Sequence, residues 1–240
     1  MTAMTTATVV FRTARGALTV GRTPRVVGTL STLARRGNIP TDIVEVRLDR
    51  MERPPDWLER CKAIQSRGKP VLLTVRLCSE GGQWPADDLQ RLELYRQGLR
   101  ELAAVDVELG SVICQDVARE AAKLQKACIV SYHQFEKTPP LRKLRAIVEK
   151  AHQIGSIAKV STMLHDQSDV AILRSLLERD WAKPLCVIGM GEAWAHTRVL
   201  FATLGSCLTY GYLDHCAAPG QISGAELARQ LRQALRAEGC

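Results

Sequence analysis

The sequence predicts an α/β fold, a (β/α)8 or TIM barrel that forms one domain over residues 1–240. Eight short β-rich runs recur along the chain, and helix-like segments lie between most of them. Strands that alternate with helices pair in parallel, and eight such units in 240 residues are typical of this barrel. An open doubly wound sheet is the alternative, but "SEGGQ" (79–83) and "GMGE" (189–192) lack its G-x-G-x-x-G phosphate turn.

Eight strands are predicted where apolar and β-branched residues cluster between polar segments. Each run is five to seven residues long, which is an ordinary length for a strand. The runs are "VVGTL" (26–30), "IVEVRL" (43–48), "PVLLTVR" (70–76), "AAVDVEL" (103–109), "ACIVSYH" (127–133), "GSIAKVS" (155–161), "PLCVIGM" (184–190) and "SCLTYGY" (206–212).

Four segments between or after these runs carry helix signals. "DWLERCKAIQSRG" (56–68) ends at a glycine, and the apolar residues of "ADDLQRLELYRQGLREL" (86–102) recur at helical spacing. "TPPLRKLRAIVEKAHQIG" (138–155) is predicted to open with a threonine cap and a proline in its first turn, and to close on glycine. In "SGAEL", Ser223 and Glu226 have the spacing of a capping box.

The N-terminal residues 1–24 are predicted to form an extension or a β-hairpin that closes the bottom of the barrel. Two short β-like runs, "ATVVFR" (7–12) and "GALTVGR" (16–22), flank a turn-like "TAR". The alternative is an organelle-targeting segment, because the first 41 residues contain six arginines and no acidic residue. We favour the hairpin.

The composition argues against several classes of function. Hydrophobic residues make up 46% of the chain, yet no apolar run approaches the roughly 18 residues that a membrane span needs. The net charge of +8 allows anionic partners, but aromatic residues are only 5% and no block of five basic residues occurs, which disfavours nucleic-acid binding. Eight cysteines without a C-x-x-C pair, in a chain without a signal peptide, predict small core residues in a reducing cytoplasm.

Polar side chains share one face at the ends of five consecutive predicted strands. Side chains alternate along a strand, and the outward face of a parallel barrel packs against helices and must be apolar. The polar face is therefore predicted to point into the barrel, at the carboxyl ends where barrel enzymes hold their active sites. For any one residue, structural pairing of buried charges is the alternative. The residues are Glu45 and Arg47, Thr74 and Arg76, Asp106 and Glu108, Ser131 and His133, and Lys159.

The residue types at these strand ends favour an enzyme that forms an imine. A lysine such as Lys159, in a closed pocket beside arginines, is disfavoured in its charged form, and a free amine attacks a ketone to give a Schiff base. The iminium acidifies the adjacent C–H bond, and a neutral His133 can take that proton. A carboxylate can fix the tautomer of the histidine, and surplus arginines can hold a substrate carboxylate. This inventory fits a lyase or an aldolase.

Longer motifs in the same region resemble the type I 3-dehydroquinate dehydratases, enzymes of the shikimate pathway of aromatic amino acid biosynthesis. The resemblance implies an eight-stranded barrel, a homodimer, and a reaction that uses no cofactor. The five histidines show no H-x-x-x-H spacing that would suggest a metal site. The most specific pieces are "SYHQFEKTP" (131–139) and "AAPGQIS" (217–223). The other pieces, in family order, are "EVRLD" (45–49), "TVR" with "EGG" (74–82), "DVEL" (106–109), the lysine of "AKVSTM" (158–163), and "GMG" (189–191) with Arg198.

The resemblance also implies roles for individual residues. Lys159 matches the lysine that forms the imine with the C3 ketone of 3-dehydroquinate, and His133 matches the residue that takes the C2 proton and later helps water leave from C1. Glu80 matches the carboxylate that orients this histidine. The substrate-binding matches are Arg198 and Gln221 for the carboxylate, Glu45, Arg47 and Arg76 around the ring hydroxyls, Met190 and Tyr210 on the pocket wall, and Ala217 and Ala218 in the closing loop.

Two positions depart from the family pattern. Ala217 stands where a serine or threonine commonly precedes "APGQ", which is expected to affect affinity, and Gln134 stands where an aspartate commonly follows the histidine, which is expected to affect the pH profile. Three other functions stay open. They are a Schiff-base aldolase of the transaldolase kind that shares Lys159, a non-catalytic sensor of quinate-like ligands, and a nucleic-acid-binding protein with steep salt dependence.

Overall fold

The structure of the protein, a computed structural model, describes residues 8–33, 37–52, 54–85, 87–216 and 220–237. Within these ranges ten strands and seven helices follow one another along the chain. The strands are β1 (Val9–Thr13), β2 (Gly16–Val20), β3 (Arg25–Leu30), β4 (Ile43–Arg47), β5 (Val71–Thr74), β6 (Ala104–Glu108), β7 (Ala127–Gln134), β8 (Ile157–Met163), β9 (Leu185–Met190) and β10 (Leu208–Tyr212). The helices are α1 (Trp57–Gln65), α2 (Asp88–Glu101), α3 (Cys114–Lys123), α4 (Leu141–Ile154), α5 (Gln167–Leu177), α6 (Thr197–Thr203) and α7 (Gly224–Ala237).

Strands β3 to β10 form one parallel sheet in the order β10-β3-β4-β5-β6-β7-β8-β9. Its two end strands, β9 and β10, also lie beside each other. The Cys207 backbone N–H donates to the Leu185 carbonyl at 2.9 Å, and the Val187 N–H donates to the Ser206 hydroxyl at 2.8 Å. The sheet is thus a nearly closed barrel with helices between its strands, and the predicted (β/α)8 fold is confirmed. All eight predicted strands are present, with ends that differ by one or two residues at most positions.

The inner face of the barrel changes from apolar to polar along the strands. The apolar residues near the strand starts form one buried cluster inside the barrel, which includes Ile43, Leu72, Ala104, Ile129 and Ile157. Two residues further along the same face, the same five strands carry Glu45, Thr74, Asp106, Ser131 and Lys159, all of them buried. The bottom of the barrel is therefore an apolar core, and the polar groups are confined to its carboxyl end.

The N-terminal hairpin closes the bottom of the barrel, as predicted. Strands β1 and β2 pair antiparallel, with Val9 opposite Val20 and Thr13 opposite Gly16. Phe11 and Val20 are fully buried and belong to the same cluster as the apolar residues inside the barrel. Burying these two side chains against the barrel contributes about 1.5–3 kcal/mol each, so the hairpin is an integral part of the core. Residues 1–7 lie outside the described residues.

The helix predictions hold in outline but err in two details. The structure adds α3, α5 and α6, which the sequence signals did not single out. Thr138 does not cap α4, and neither proline lies inside the first turn of this helix, since Pro140 is its N-cap. The Thr138 hydroxyl donates to the Met163 carbonyl at 2.7 Å, and α4 begins only at Leu141, because the pair of prolines before it keeps the preceding chain extended. The capping box at α7 is half formed. The Glu226 N–H donates to the Ser223 hydroxyl at 3.2 Å, but the Glu226 carboxylate accepts from Arg229 instead.

Within the described residues, none of the seven cysteines forms a disulfide, and five of them are buried. Cys128, Cys186 and Cys207 are among the buried ones, as predicted for small core residues. None of the helices in these ranges is long and apolar enough to cross a lipid bilayer.

Candidate active site

A pocket opens at the carboxyl end of the barrel and collects nearly all of the predicted site residues. It encloses about 580 Å³, part of which is open to solvent. Ten of the twelve predicted residues line it, and the other two, Ala217 and Ala218, lie outside the described residues. The ten are Lys159, His133, Glu80, Glu45, Arg47, Arg76, Met190, Arg198, Tyr210 and Gln221.

Lys159 lies at the centre of the pocket on β8. Its side chain is only 5% exposed, and its Nζ lies 3.0 Å from Asp106 Oδ2 and 4.1 Å from the ring centre of Tyr210. The ionic partner of Lys159 is thus a carboxylate, whereas the sequence led us to expect arginines beside it. Burial opposes ionisation of Asp106, but the neighbouring Arg76 and Lys159 cations outweigh it and hold the pKa of that carboxyl well below its usual range. The amine therefore faces the pocket beside a permanent negative charge.

The charges below the pocket form a continuous network that extends to helix α2. Arg76 Nη2 donates to Asp106 Oδ1 at 2.7 Å, and Arg76 Nη1 lies 3.1 Å from Glu108 Oε1. Glu108 in turn pairs with Arg91 of α2, which is fully buried and also donates to the Ser111 hydroxyl at 2.9 Å. Glu108 therefore supports the two arginines and does not line the pocket. Each buried charge of this network has an opposite neighbour, which offsets the cost of its burial.

His133 and Glu80 form the second functional pair. His133 Nδ1 and the His133 backbone N–H lie 2.8 and 3.0 Å from the same carboxylate oxygen, Glu80 Oε2. Burial, with the nearby Arg76 and Lys159 cations, lowers the pKa of His133 well below its ordinary value. Burial also raises the pKa of Glu80 to about 7. The imidazole is therefore neutral at neutral pH. Since Glu80 accepts the Nδ1 hydrogen, Nε2 is left with a lone pair to act as a base.

The "EGG" motif forms a tight turn that brings the carboxylate of Glu80 into contact with His133. Gly81 has a φ of +75°, and a Cβ at this position would lie 2.4 Å from the ring of Phe135. A Cβ on Gly82 would lie 2.0 Å from the Arg76 carbonyl oxygen. Only glycines fit this tight turn, so the motif has a physical reason beyond its resemblance to a family pattern.

Asp49 is a supporting residue that our sequence predictions did not include. Arg47 donates to it through two parallel bonds, Nε to Oδ1 at 2.9 Å and Nη2 to Oδ2 at 2.8 Å. The Gln83 backbone N–H adds a third bond to Oδ2 at 3.1 Å. The two parallel bonds to Asp49 hold the guanidinium of Arg47 at the pocket wall. This contact gives the aspartate of "EVRLD" a structural role.

Five further residues line the pocket and were missed. Three of them sit on inward strand positions, Thr29 on β3, Ser161 on β8 and Ile188 on β9, and the alternation rule could have found these three. Phe135 follows directly after the end of β7. Gly81 is the fifth. Thr29 also donates to Glu45 Oε2 at 2.9 Å, and Thr74 donates to Oε1 at 2.8 Å, which fixes that carboxylate.

Arg198 reaches the pocket from helix α6 and holds the end of the predicted closing loop. Its Nε donates to the Gly220 carbonyl at 2.8 Å, and its Nη1 donates to the Tyr210 carbonyl at 3.1 Å. Burial lowers the pKa of Arg198 to about 10. Gly220 has a φ of +71°, and a Cβ there would lie 2.2 Å from the Gly191 carbonyl oxygen. The glycines of "GMG" and "APGQ" thus allow the two segments to touch.

Two remaining points from the sequence analysis are the position of Gln134 and the possibility of a metal site. Gln134 is not part of the pocket lining; its side-chain Oε1 accepts from the Glu136 backbone N–H at 2.9 Å. Within the described ranges there is also no group of three or more His, Cys, Asp or Glu residues that could hold a metal ion.

Known proteins share both the sequence pattern and the fold of this chain. The family model of type I 3-dehydroquinase matches residues 23–238. The 3-dehydroquinate dehydratase of Methanothrix thermoacetophila is 34% identical over 220 residues, which cover 88% of this chain and 92% of that protein. The 3-dehydroquinate dehydratase of Geobacillus kaustophilus has a solved structure that is 27% identical, covers 92% of this chain and 94% of its own, and superposes with a TM-score of 0.77.

A second solved structure shows how far the fold alone is shared. The type I 3-dehydroquinate dehydratase of Clostridium difficile superposes with a TM-score of 0.82 over 96% of this chain and 99% of its own, at 22% identity. The barrel, the polar strand ends and the family model agree. This chain belongs to the type I 3-dehydroquinase family.

Proposed function

We propose that this protein converts 3-dehydroquinate to 3-dehydroshikimate and water through an imine on Lys159, with His133 as the general acid and base. The observation that carries the proposal is that a buried lysine amine and a neutral imidazole line one pocket. Cationic side chains suited to an anionic substrate, Arg47, Arg76 and Arg198, line the same pocket. The family relationship supports the choice of substrate.

The first half of the reaction uses the Lys159–Asp106 pair. The unprotonated amine attacks the C3 ketone, a C–N bond forms, and the ketone oxygen leaves as water after it has taken up two protons. The iminium carries a positive charge, so its ionic partner is the carboxylate of Asp106, whose Oδ2 lies 3.0 Å from Nζ of the free lysine. The low pKa of Asp106 keeps the carboxylate negative throughout, which stabilises the iminium.

The second half uses the His133–Glu80 pair. The iminium withdraws electrons from C2, and His133 Nε2 takes the C2 proton to leave an enamine. The resulting imidazolium then gives a proton to the C1 hydroxyl, which departs as water. Glu80 stabilises the imidazolium through the bond at His133 Nδ1. Hydrolysis of the iminium releases the product and restores the amine.

The remaining pocket residues are proposed to bind and enclose the substrate. Arg198 and Gln221 would hold the carboxylate, while Glu45, Arg47 and Arg76 would bind ring hydroxyls. Met190 and Tyr210 would form the wall. Ala217 and Ala218 would lie in the loop that closes the pocket and keeps water from the imine. The predicted homodimer and cytoplasmic location stay predictions.

The first test is an assay of the wild-type protein with 3-dehydroquinate. Ultraviolet absorbance reports the conjugated enone product, and borohydride followed by peptide mass spectrometry locates the covalent adduct. Enone formation with an adduct on Lys159 supports both reaction and nucleophile. An adduct without enone would instead support a sensor of quinate-like ligands. If neither signal appears, the proposal is wrong, and phosphorylated sugars should be tested for the aldolase alternative.

Replacing Glu80 with glutamine should change the pH profile of kcat/KM. In the wild type the rate should fall as the pH drops through about 7, because a protonated Glu80 no longer carries the negative charge that stabilises the imidazolium of His133. An amide cannot titrate, so this limb should disappear in Glu80→Gln. The pH-independent rate should also fall about tenfold or more, the worth of one hydrogen bond to a charged group. An inflection near 7 that persists in the variant would assign this titration to a different group.

A further inference from the structure

Ser131 is an inward-facing polar residue of β7 to which the proposed mechanism gives no part. Its side chain is fully buried, and it does not belong to the described residues that line the pocket. In the barrel it lies level with Lys159 on β8 and with Glu108 on β6. Ser131 therefore stands in the layer of charged groups below the pocket, where a buried hydroxyl needs hydrogen-bond partners.

The hydroxyl of Ser131 links Arg76 to Asp106. Arg76 Nη1 donates to Ser131 Oγ at 2.8 Å, and because a guanidinium has no acceptor, the serine hydrogen goes to another group. The nearer of its two acceptors is Asp106 Oδ1 at 2.7 Å, while the Val107 carbonyl lies at 3.4 Å. The serine thus accepts from the arginine and donates to the aspartate.

These contacts give the two oxygens of the Asp106 carboxylate different partners. Oδ1 accepts from the Ser131 hydroxyl and, also at 2.7 Å, from Arg76 Nη2. Oδ2 lies 3.0 Å from Lys159 Nζ. The last torsion of an aspartate side chain has only a broad preference, so the bonds to its oxygens decide how the carboxylate is turned. Two donors from separate segments of the chain hold Oδ1, which leaves Oδ2 directed at the amine.

The loss of the serine hydroxyl would change this arrangement without leaving a buried charge unpaired. In Ser131→Ala, Arg76 Nη1 keeps Glu108 Oε1 as an ionic partner at 3.1 Å. Asp106 Oδ1, however, keeps only one of its two donors. A guanidinium and a carboxylate favour a fork in which two nitrogens bind two oxygens. The carboxylate is then free to turn toward Arg76 and away from Lys159.

We propose that Ser131 is a positioning residue for imine formation, which holds Asp106 so that Oδ2 stays directed at Lys159 Nζ and at the iminium nitrogen that this atom becomes. The inference rests on the proposed function, because it assigns a residue to the step in which Lys159 attacks the ketone. Positive charge grows on the nitrogen as the C–N bond forms. A carboxylate that is fixed in advance stabilises this charge without turning during the reaction. Ser131 itself neither gives nor takes a proton.

The test is Ser131→Ala, with the reaction of 3-dehydroquinate quenched rapidly into borohydride. The amplitude of adduct formation counts the folded sites, and its rate constant reports the imine step. The rate constant should fall about tenfold, the equivalent of one hydrogen bond to a charged group, whereas a merely structural role would lower only the amplitude. Ser131→Cys nearly keeps the side-chain volume but has a weak donor, so it should lower the rate constant less.

A binding measurement separates action through Asp106 from action through Arg76. Quinate carries a hydroxyl in place of the ketone and cannot form an imine, so its Kd reports binding alone. This Kd should be the same in Ser131→Ala and in the wild type, because Arg76 keeps Glu108 as its partner. A rise in the Kd by the same factor as the loss in rate would overturn the inference, since Ser131 would then act on substrate binding.

Ser206→Ala is the matched control. Ser206 is only 1% exposed, and its hydroxyl accepts from the Val187 N–H at 2.8 Å and donates to the Leu208 carbonyl at 2.9 Å, near the start of β10. Its loss should lower the thermal midpoint and leave the rate constant of adduct formation unchanged. A wild-type rate constant in Ser131→Ala would show that the inference is wrong. If the proposed function fails instead, the wild type itself will form neither adduct nor enone.

Discussion

Lys159→Ala is expected to abolish the borohydride-trapped adduct and to lower enone formation from 3-dehydroquinate by at least about 10³-fold. The reason is that Lys159 is the amine that lies inside the pocket, held there by Asp106 at 3.0 Å. Among the described residues that line the pocket, no other carries a primary amine. Steady-state absorbance and peptide mass spectrometry measure the two losses.

Two further variants separate nucleophilicity from charge. Lys159→Arg restores a cation beside Asp106 but offers no free amine, since a guanidinium stays protonated, so it should be as inactive as Lys159→Ala while folding more stably. Lys150→Ala, on an exposed position of α4, should keep wild-type activity. An adduct that still maps to the active site in Lys159→Ala would contradict the assignment of the nucleophile.

His133→Ala is expected to keep imine formation and to lose turnover. The amine and Asp106 are untouched, so borohydride should still trap an adduct on Lys159. The C2 proton, however, loses its acceptor, which should slow enone formation by about 10²–10⁴-fold. Mass spectrometry of the trapped adduct and absorbance of the enone, measured on the same sample, give both quantities.

The matched control for this variant is His152→Gln. His152 lies in the last turn of α4, at the opposite end of the barrel, where its Nε2 is 3.0 Å from the Pro184 carbonyl. Its replacement should leave both imine formation and turnover unchanged. Normal turnover in His133→Ala would mean that another group takes the proton and that the role of His133 is wrong.

Much of the site could be predicted from strand alternation. A charged residue in a barrel strand cannot face the helix layer, so Glu45, Asp106 and Lys159 had to point inward once the strands were located. The apolar residue two positions earlier on each of these strands completes the pattern, because the same inner face is core at the bottom and polar at the top. The alternation was as informative for His133, which is the fourth inward position of β7, after Ala127, Ile129 and Ser131.

The partners of these residues could not be predicted in the same way. Alternation pointed Glu108 into the barrel, but it did not show that Arg91 of helix α2 pairs with the Glu108 carboxylate and joins it to the supporting network. Alternation likewise did not show that Lys159 pairs with Asp106, because these two residues are 53 positions apart in the sequence. Ion pairing depends on which side chains meet across the barrel, and no local pattern records those distances.

Local patterning was sufficient to establish the barrel, its hairpin, the end of the barrel that carries the site, and, through its motifs, the family. These properties follow from the period of side chains along each strand and from turn chemistry that acts within a few residues. Contacts between distant segments alone decided the charge states of His133 and Glu80. The physical reason is that burial and electrostatic neighbours set these properties, and both exist only after the strands have closed around the pocket.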